Sequence, residues 1–424
     1  MFGETLLAIW SAAGLTWWGL AWSLVNADQK RPISTREPSV RRSLSIFKPL
    51  PPLGELGVDS LETALESFVA QLDAESEVLC GIHEADRQTV APLLARLGYK
   101  YPTARIKTMY RTSVDEVANP KIAWQHLLAR QAEGELWMWS DADVIAPAGF
   151  LRAARQEFEA SGAALLTFPY VVRALPHPAA LLDALFVNAE FYPGVLLLRK
   201  WGKADFGLGA GMLFERDAFL KHVDWWEIGA ALSDDFYLGQ KLQPVRIAKS
   251  TLTTIAGAKT WQDARLHDLR WSRTIRWNRP VGSAARVVAL PVLGWLGWVL
   301  LHPLSLSAWV GLAAMTQLDI FCAAMIVQRA GCKLMVQNLL GLEVWSIWRV
   351  ILWFLSWWPG STVVWSGKVW EGPRWELKLD ASELAGQETT LTRNGVKPIF
   401  LQTNGLRVRA DYHLRGMGKE EEAR

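Results

Sequence analysis

The chain has 424 residues, half of them hydrophobic, and a formal net charge of +3. At ~100–200 residues per domain, that length holds one sizeable soluble domain with membrane segments beside it. The near-neutral balance, with no basic domain, gives no reason to expect nucleic acid as a partner. The three cysteines, Cys80, Cys322 and Cys332, form neither a CxxC pair nor an even-numbered framework. Structural disulfides are therefore not expected, and a reducing compartment is favoured. The seven histidines show no HxxxH or HExxH spacing, so no zinc site is expected.

The first element in the chain is an uncharged apolar run, Leu6–Val25. It is long enough to cross a hydrocarbon core at ~20 residues. Val25-Asn26-Ala27 resembles a signal cleavage site, but no basic segment precedes the run, so residues 1–27 read as a retained N-terminal transmembrane anchor. Lys30, Arg31, Arg36, Arg41, Arg42 and Lys48 follow it and place the next domain on the cytoplasmic side.

Residues 28–284 read as that cytoplasmic domain. Candidate strands are Ser43–Phe47, Glu77–His83, Ala104–Tyr110, Glu135–Trp139, Ala164–Val171, Gly209–Phe214 and Arg246–Thr254. Between the first two, Leu61, Ala64, Leu65, Phe68, Val69 and Leu72 share one helical face, with Asp59 and Glu62 as a candidate capping box. Asn119-Pro120 reads as N-cap and first position of a helix over 121–131. Alternating strands and helices predict an α/β fold, Rossmann-like, with a mostly parallel sheet covered on both faces. Ligands in such sheets sit at the carboxyl ends of strands.

Residues 285–380 read as membrane and interfacial helices. Val287–Leu301 and Leu304–Val327 are apolar, with Pro303 breaking between them. Arg329 and Lys333 then mark a return to the cytoplasm. The Trp-rich stretch Val344–Trp358 contains Arg349. Lys368, Arg374 and Lys378 after it favour an element that lies on the membrane without crossing it. Asp319, inside an apolar stretch, is either functional or turned into the helix bundle. Many of the 24 tryptophans lie in these segments, as indoles at a membrane interface do. Residues 381–424 read as a loosely ordered polar cytoplasmic tail.

Three features carry chemistry. The apolar run Leu136–Trp139 ends in Ser140-Asp141-Ala142-Asp143. In extended chain Asp141 and Asp143 point the same way. Two such carboxylates repel unless a hard divalent cation such as Mg²⁺ or Mn²⁺, shared with a diphosphate, joins them. An acidic turn or helix cap is the alternative. Next, Asp234-Asp235 precedes a helical apolar pattern. Either residue could be a cap, or one a base whose pKa its neighbour raises. Third, "RWSRTIRWNRP" (270–280) places Arg270, Arg273 and Arg276 along one helical side beside Trp277. Guanidinium groups there suit phosphate oxygens or anionic lipid headgroups.

These features, in this order, resemble the family 2-like GT-A glycosyltransferases, whose (Q/R)xxRW signature is similar to Arg273-Thr274-Ile275-Arg276-Trp277. "SIFKPL" (45–50), "NPKIAW" (119–124) and "TVVWSGKVW" (362–370) resemble segments of the ceramide glucosyltransferase family, which is similar to bacterial hopanoid-associated transferases. The resemblance implies a GT-A domain and an inverting enzyme moving one hexose, glucose or N-acetylglucosamine, from a UDP-sugar to a membrane lipid such as ceramide or a hopanoid. It implies Asp235 as catalytic base and Asp141 and Asp143 as metal and donor ligands. Arg273, Arg276 and Trp277 would close over the diphosphate, and Asp234 and Lys121 would contribute to donor binding. The family's earlier acidic position falls on Glu84 or Asp86, where "GIHEADR" departs from the family's Asp-rich pattern. A processive polysaccharide synthase and a non-enzymatic lipid-binding scaffold are the competing readings.

Overall fold

The computed structural model describes residues 2–32, 42–53, 56–114, 117–174, 178–256, 260–332, 339–358, 362–365 and 368–371, and the backbone of strands at 376–377, 399–403 and 406–410. Arg36, Arg41, Lys333, Arg374 and Lys378 lie outside the described residues.

Helix α1 (Phe2–Gln29) precedes an alternation of β1 (Leu44–Pro49), α2 (Val58–Val69), β2 (Ser76–His83), α3 (Arg87–Lys100), β3 (Arg105–Arg111), α4 (Pro120–Ala129) and β4 (Leu136–Trp139). α2 buries Leu61, Ala64, Leu65, Phe68 and Val69, the face its spacing predicts. The expected Asp59–Glu62 capping box does not form. Gly57 is the N-cap, Asp59 lies in the first turn, and Glu62 pairs with Arg96 of α3 at 2.8 Å. α4 starts as its sequence predicts: the Asn119 side chain accepts from the backbone N–H of Lys121 and Ile122 at 3.0 and 3.3 Å.

Beyond β4 come β5 (Val144–Ile145), α5 (Phe150–Ser161), β6 (Leu165–Thr167), β7 (Tyr170–Ala174) and α6 (Pro178–Leu185). A π-helical segment, Phe186–Phe191, continues α6 into α7 (Tyr192–Trp201). Then follow β8 (Met212–Glu215), α8 (Arg216–His222), α9 (Trp225–Gly229), α10 (Asp234–Lys241), β9 (Val245–Ile247), β10 (Leu252–Ala256) and α11 (Trp261–Asn278).

A seven-stranded sheet runs β3-β2-β1-β4-β8-β6-β9. β3, β2, β1 and β4 are parallel, β8 is antiparallel to β4 and β6, and β6 is parallel to β9. A smaller sheet runs β5-β10-β7. Two expected strands are split to supply both sheets. Ala164–Val171 divides into β6 and β7 around Pro169, which has no N–H for a ladder. Arg246–Thr254 divides into β9 and β10. Side-chain alternation along β4 sends Leu136 and Met138 into the core cluster on one face. Trp137 and Trp139 go to an aromatic cluster with Phe47, Phe214 and Phe219 on the other.

The C-terminal helices are α12 (Pro280–Ala285), α13 (Pro291–Leu301), α14 (Leu306–Arg329) and α15 (Leu339–Trp357). The expected apolar stretch Val287–Leu301 is broken at Leu290. Residues Pro280–Ala289 and α13 meet at 67°. The 11 residues of α13 span only about 16 Å, against a hydrocarbon thickness of ~30 Å. Two described helices are long and apolar enough to cross a membrane, Ala179–Trp201 and Leu306–Arg329, or three if the bent pair is one span. The second matches the expected Leu304–Val327. The first was not foreseen, and most of it is buried inside the protein. α1, expected as an anchor, is a 28-residue helix but not one of these two.

Asp319 turns into the bundle. It accepts from Arg349 of α15 at 2.6 Å and from the Trp18 indole of α1 at 3.0 Å. Arg349 also bonds Glu190 at 3.1 Å, and Glu190 pairs with Arg286 at 2.8 Å. Two carboxylates and two guanidinium groups thus compensate one another, as buried charge requires. Beyond α15, β11 (Thr362–Trp365), β12 (Lys368–Glu371) and β13 (Glu376–Leu377) form an antiparallel sheet. Inside the segment expected to be loose, β14 (Ile399–Thr403) and β15 (Leu406–Ala410) pair as an antiparallel hairpin.

Candidate active site

The Ser140–Asp143 turn crosses from β4 in the large sheet to β5 in the small one. It is pinned at both ends: Ser140 N–H donates to the Phe47 carbonyl at 3.2 Å, and Ile255 N–H donates to the Asp143 carbonyl at 3.0 Å. Lys121, in the first turn of α4, reaches Asp141 Oδ1 at 2.6 Å and Asp234 Oδ2 at 3.4 Å. Asp234 and Asp235 open α10 but do not cap it, because Ser233 is the N-cap residue. Asp235 Oδ1 accepts from Phe236 N–H at 2.8 Å, and its carbonyl accepts from Gly207 N–H at 2.9 Å.

Gly209 closes this group. A β-carbon placed there would lie 3.2 Å from Asp141 Oδ2, 3.3 Å from Lys121 Nζ and 3.8 Å from Asp235 Oδ2. Segments near positions 121, 141, 209 and 235 therefore meet around one small space. The structure brings together Asp141, Asp234, Asp235 and Lys121.

The charges are unbalanced. Burial pushes the Asp143 carboxyl up to about 7, helped by the negative charge of Asp141. Burial also pushes Asp235 up to about 7, helped by Asp234 and opposed by Lys121. Burial alone would lower Lys121, but Asp141, Asp234 and Asp235 outweigh it and raise its pKa. Lys48, fully buried on β1, is lowered by burial to about 7. Four carboxylates thus face two ammonium groups. A set rich in carboxylate oxygens, in which acidic groups outnumber the lysines, fits a hard divalent cation.

The basic motif occupies the second half of α11, whose start is fixed by a Thr260–Asp263 capping box. Asn278 Nδ2 donates to Ser233 Oγ at 3.2 Å, next to the Asp234–Asp235 pair. Arg279 pairs with Asp205 and lies over the rings of Phe206 and Phe236. Arg276 stacks on Trp277 with its guanidinium carbon 4.4 Å from the ring centre. Burial lowers the pKa of Arg273, Arg276 and Arg279, and the charge of Arg273 lowers Arg276 further. Such crowded cations favour an anion. Arg273 donates from Nη1 to the Thr362 carbonyl at 2.8 Å, so it holds the β11–β12 hairpin against α11.

Glu84 and Asp86 form a short 3₁₀ turn after β2, where exposed Glu84 pairs with Arg87 at 2.9 Å. Among the described contacts neither touches Lys121 or the four carboxylates. Three neighbours escaped the sequence reading. Lys48, counted there as a membrane-flanking charge, is in the core. Gly209 carries no motif. Tyr170, at the start of β7, is the third: burial and the charges of Asp235, Asp141 and Asp143 raise its phenol pKa. Separately, Asp183, His267 and Asp268 bring ligand atoms within 4.8 Å of one another, a group able to hold a metal ion. Histidine spacing could not show it, because α6 supplies one residue and α11 the other two.

This architecture is the α/β fold with a parallel-rich central sheet that the sequence predicts. The chain matches glycosyl transferase family 21 over residues 8–373, and it belongs to that family. No curated protein matches it. Among solved structures it is similar to the mannosyltransferase PcManGT of Pyrobaculum calidifontis, in complex with GDP-Man and Mn²⁺, at 14 % identity and a TM-score of 0.47, covering 82 % of this chain and 99 % of that one. It is also similar to S. aureus TarS 1–349 in complex with UDP-GlcNAc, at 11 % identity and a TM-score of 0.36, covering 78 % of this chain and 96 % of that one.

Proposed function

We propose that the enzyme moves a single hexose, glucose or N-acetylglucosamine, from a UDP-sugar to a membrane lipid hydroxyl, with ceramide and hopanoids as candidate acceptors, and inverts the anomeric carbon. The observation that carries this reading is the meeting of Asp141, Asp235 and Lys121 around Gly209. Asp235, held near neutrality, accepts the acceptor's proton as its oxygen bonds the anomeric carbon. The sugar–phosphate bond breaks with its electron pair on the departing UDP. Asp141 and Asp143 would hold Mg²⁺ or Mn²⁺, which supplies charge neutralisation to the leaving diphosphate. Arg279, over the ring of Phe236 next to Asp235, and Arg276, one turn earlier in the chain, would add positive charge for the diphosphate.

A lipid acceptor is supported by what surrounds α11. α15 packs along it, and Trp348 Nε1 donates to Asp268 Oδ2 at 2.9 Å. α15 also presents an exposed apolar stripe of Val344, Ile347, Ile351 and Phe354, continued by Trp358 just past its end. Such a stripe suits a helix lying in the headgroup region with the site beside it. In this reading α1 and α14 anchor a domain facing the cytoplasm. The test is transfer of radiolabel from UDP-glucose or UDP-N-acetylglucosamine into ceramide, diacylglycerol or a hydroxylated hopanoid. One singly labelled lipid is expected. Labelled polymer would favour a processive synthase, and no labelled product from any pair would overturn the assignment.

A further inference from the structure

Lys48 has entered so far only as one of the charges near the site, and it is 0 % exposed. Buried lysines are rare unless paired, because the charge loses its hydration. No carboxylate bonds it directly among the described contacts. Its ammonium group donates to Ser140 Oγ at 3.0 Å and to the Asp141 carbonyl at 2.8 Å, and lies 3.8 Å from the centre of the Phe68 ring. An ammonium group has three donors, and these three neighbours account for them. Ser140 Oγ in turn donates to the Ala210 carbonyl at 2.9 Å. A chain of bonds therefore runs from β1 through the Asp141–Asp143 turn to the loop bearing Gly209.

We propose that Lys48 is a positioning residue for the transfer: through the Asp141 carbonyl and the Ser140 hydroxyl it fixes the direction in which the Asp141 and Asp143 carboxylates meet the metal and diphosphate. This role rests on the donor-binding reading above. Packing alone does not explain the residue. An apolar side chain of similar volume would fill the same space without desolvating a charge. A methionine at 48 would keep the volume and leave the Asp141 carbonyl without this donor.

The test compares full-length wild type, Lys48→Met, Ser140→Ala and the double variant in detergent. It reads the Mn²⁺ half-saturation for UDP binding, the KM of donor and of acceptor, and the melting temperature. Lys48→Met raises the Mn²⁺ half-saturation and the donor KM about 10- to 100-fold, the range for a lost charged hydrogen bond. Acceptor KM stays within about twofold. Ser140→Ala gives a smaller rise in the same two constants. The double variant resembles Lys48→Met alone, because the two act as one unit. Unchanged metal and donor constants in Lys48→Met overturn the proposal, as does a fall in kcat and melting temperature with both constants fixed. If Lys48→Met does not fold, Ser140→Ala decides by the same criterion. Absence of Mn²⁺-dependent UDP binding in wild type is a different failure, which removes the donor reading and this role with it.

Discussion

Gly209→Ala places one methyl group in the space the site depends on. The new carbon would stand 3.2 Å from Asp141 Oδ2, 3.3 Å from Lys121 Nζ and 3.8 Å from Asp235 Oδ2. The first two contacts are tight, so either Asp141 or Lys121 must retreat by a few tenths of an ångström. Retreat strains the 2.6 Å pair between them. Misplacement of a reacting group by ~1 Å costs on the order of 100-fold. A smaller shift combined with lost space gives an expected fall of about 10- to 100-fold in kcat/KM, equivalent to ~1.4–2.7 kcal/mol. The fold should hardly notice, because Gly209 does not occupy the left-handed region and alanine brings no backbone strain. A stability change of about 0.5 kcal/mol or less, and a melting shift of ~2 °C or less, is expected. The assay is UDP release at varied donor concentration, with thermal unfolding alongside. Gly98→Ala, at a glycine with nothing within 4 Å of the added carbon, is the control. Turnover within about twofold of wild type in Gly209→Ala would refute the claim that this space holds the reaction.

Asp235→Asn should lower kcat by about 10²- to 10⁴-fold, the usual worth of a general base, while UDP binding persists, as titration calorimetry would show. The pH dependence has two opposed parts. Asp235 must be ionised to accept a proton, so kcat/KM should fall as pH drops through about 7. Stability in the absence of metal should move the other way. Asp143 and Asp235 have folded pKa values raised to about 7, so the folded state binds more protons than the unfolded one below that. Stabilisation is present near pH 4 to 5 and is lost as pH rises to 7, and Mn²⁺ should restore it; melting scans across that window check both. Arg349→Met strands Asp319 in the bundle, while Glu190 keeps Arg286, and should destabilise by about 3–5 kcal/mol, with recovery in Arg349→Met/Asp319→Leu, read by unfolding in detergent.

What the sequence showed, and what it hid, follows from how local each signal is. Asp141-x-Asp143, Asp234-Asp235 and the Arg273–Trp277 motif are short and sit at the ends of apolar elements, so they were legible. The alternation Leu136–Trp139 and the Asn119-Pro120 helix start were equally local. Gly209 matters because Asp141 and Lys121 approach it, and Lys48 because Ser140 and Asp141 do, all from over 60 residues away in the chain. No window of sequence contains that approach. Lys48 even read as a surface charge, because a lysine near an apolar segment is usually one. Helix Ala179–Trp201 went unread for another reason: Asp183, Asn188, Glu190 and Pro193 interrupt its apolar pattern. Asn188 satisfies Val172 N–H and carbonyl at 2.8 Å each, and Glu190 binds two arginines, so those polar residues are internal ties.

The central claim is that the carboxylates gathered around Lys121 and Gly209 drive transfer of a sugar from a nucleotide to a lipid. Its most direct test is UDP release by wild type and Asp235→Asn protein, supplied with UDP-sugar and lipid, before and after addition of Mn²⁺. The account predicts release that requires both lipid and Mn²⁺ in wild type and is lost in the variant. Release that is unaffected by Asp235→Asn would contradict it.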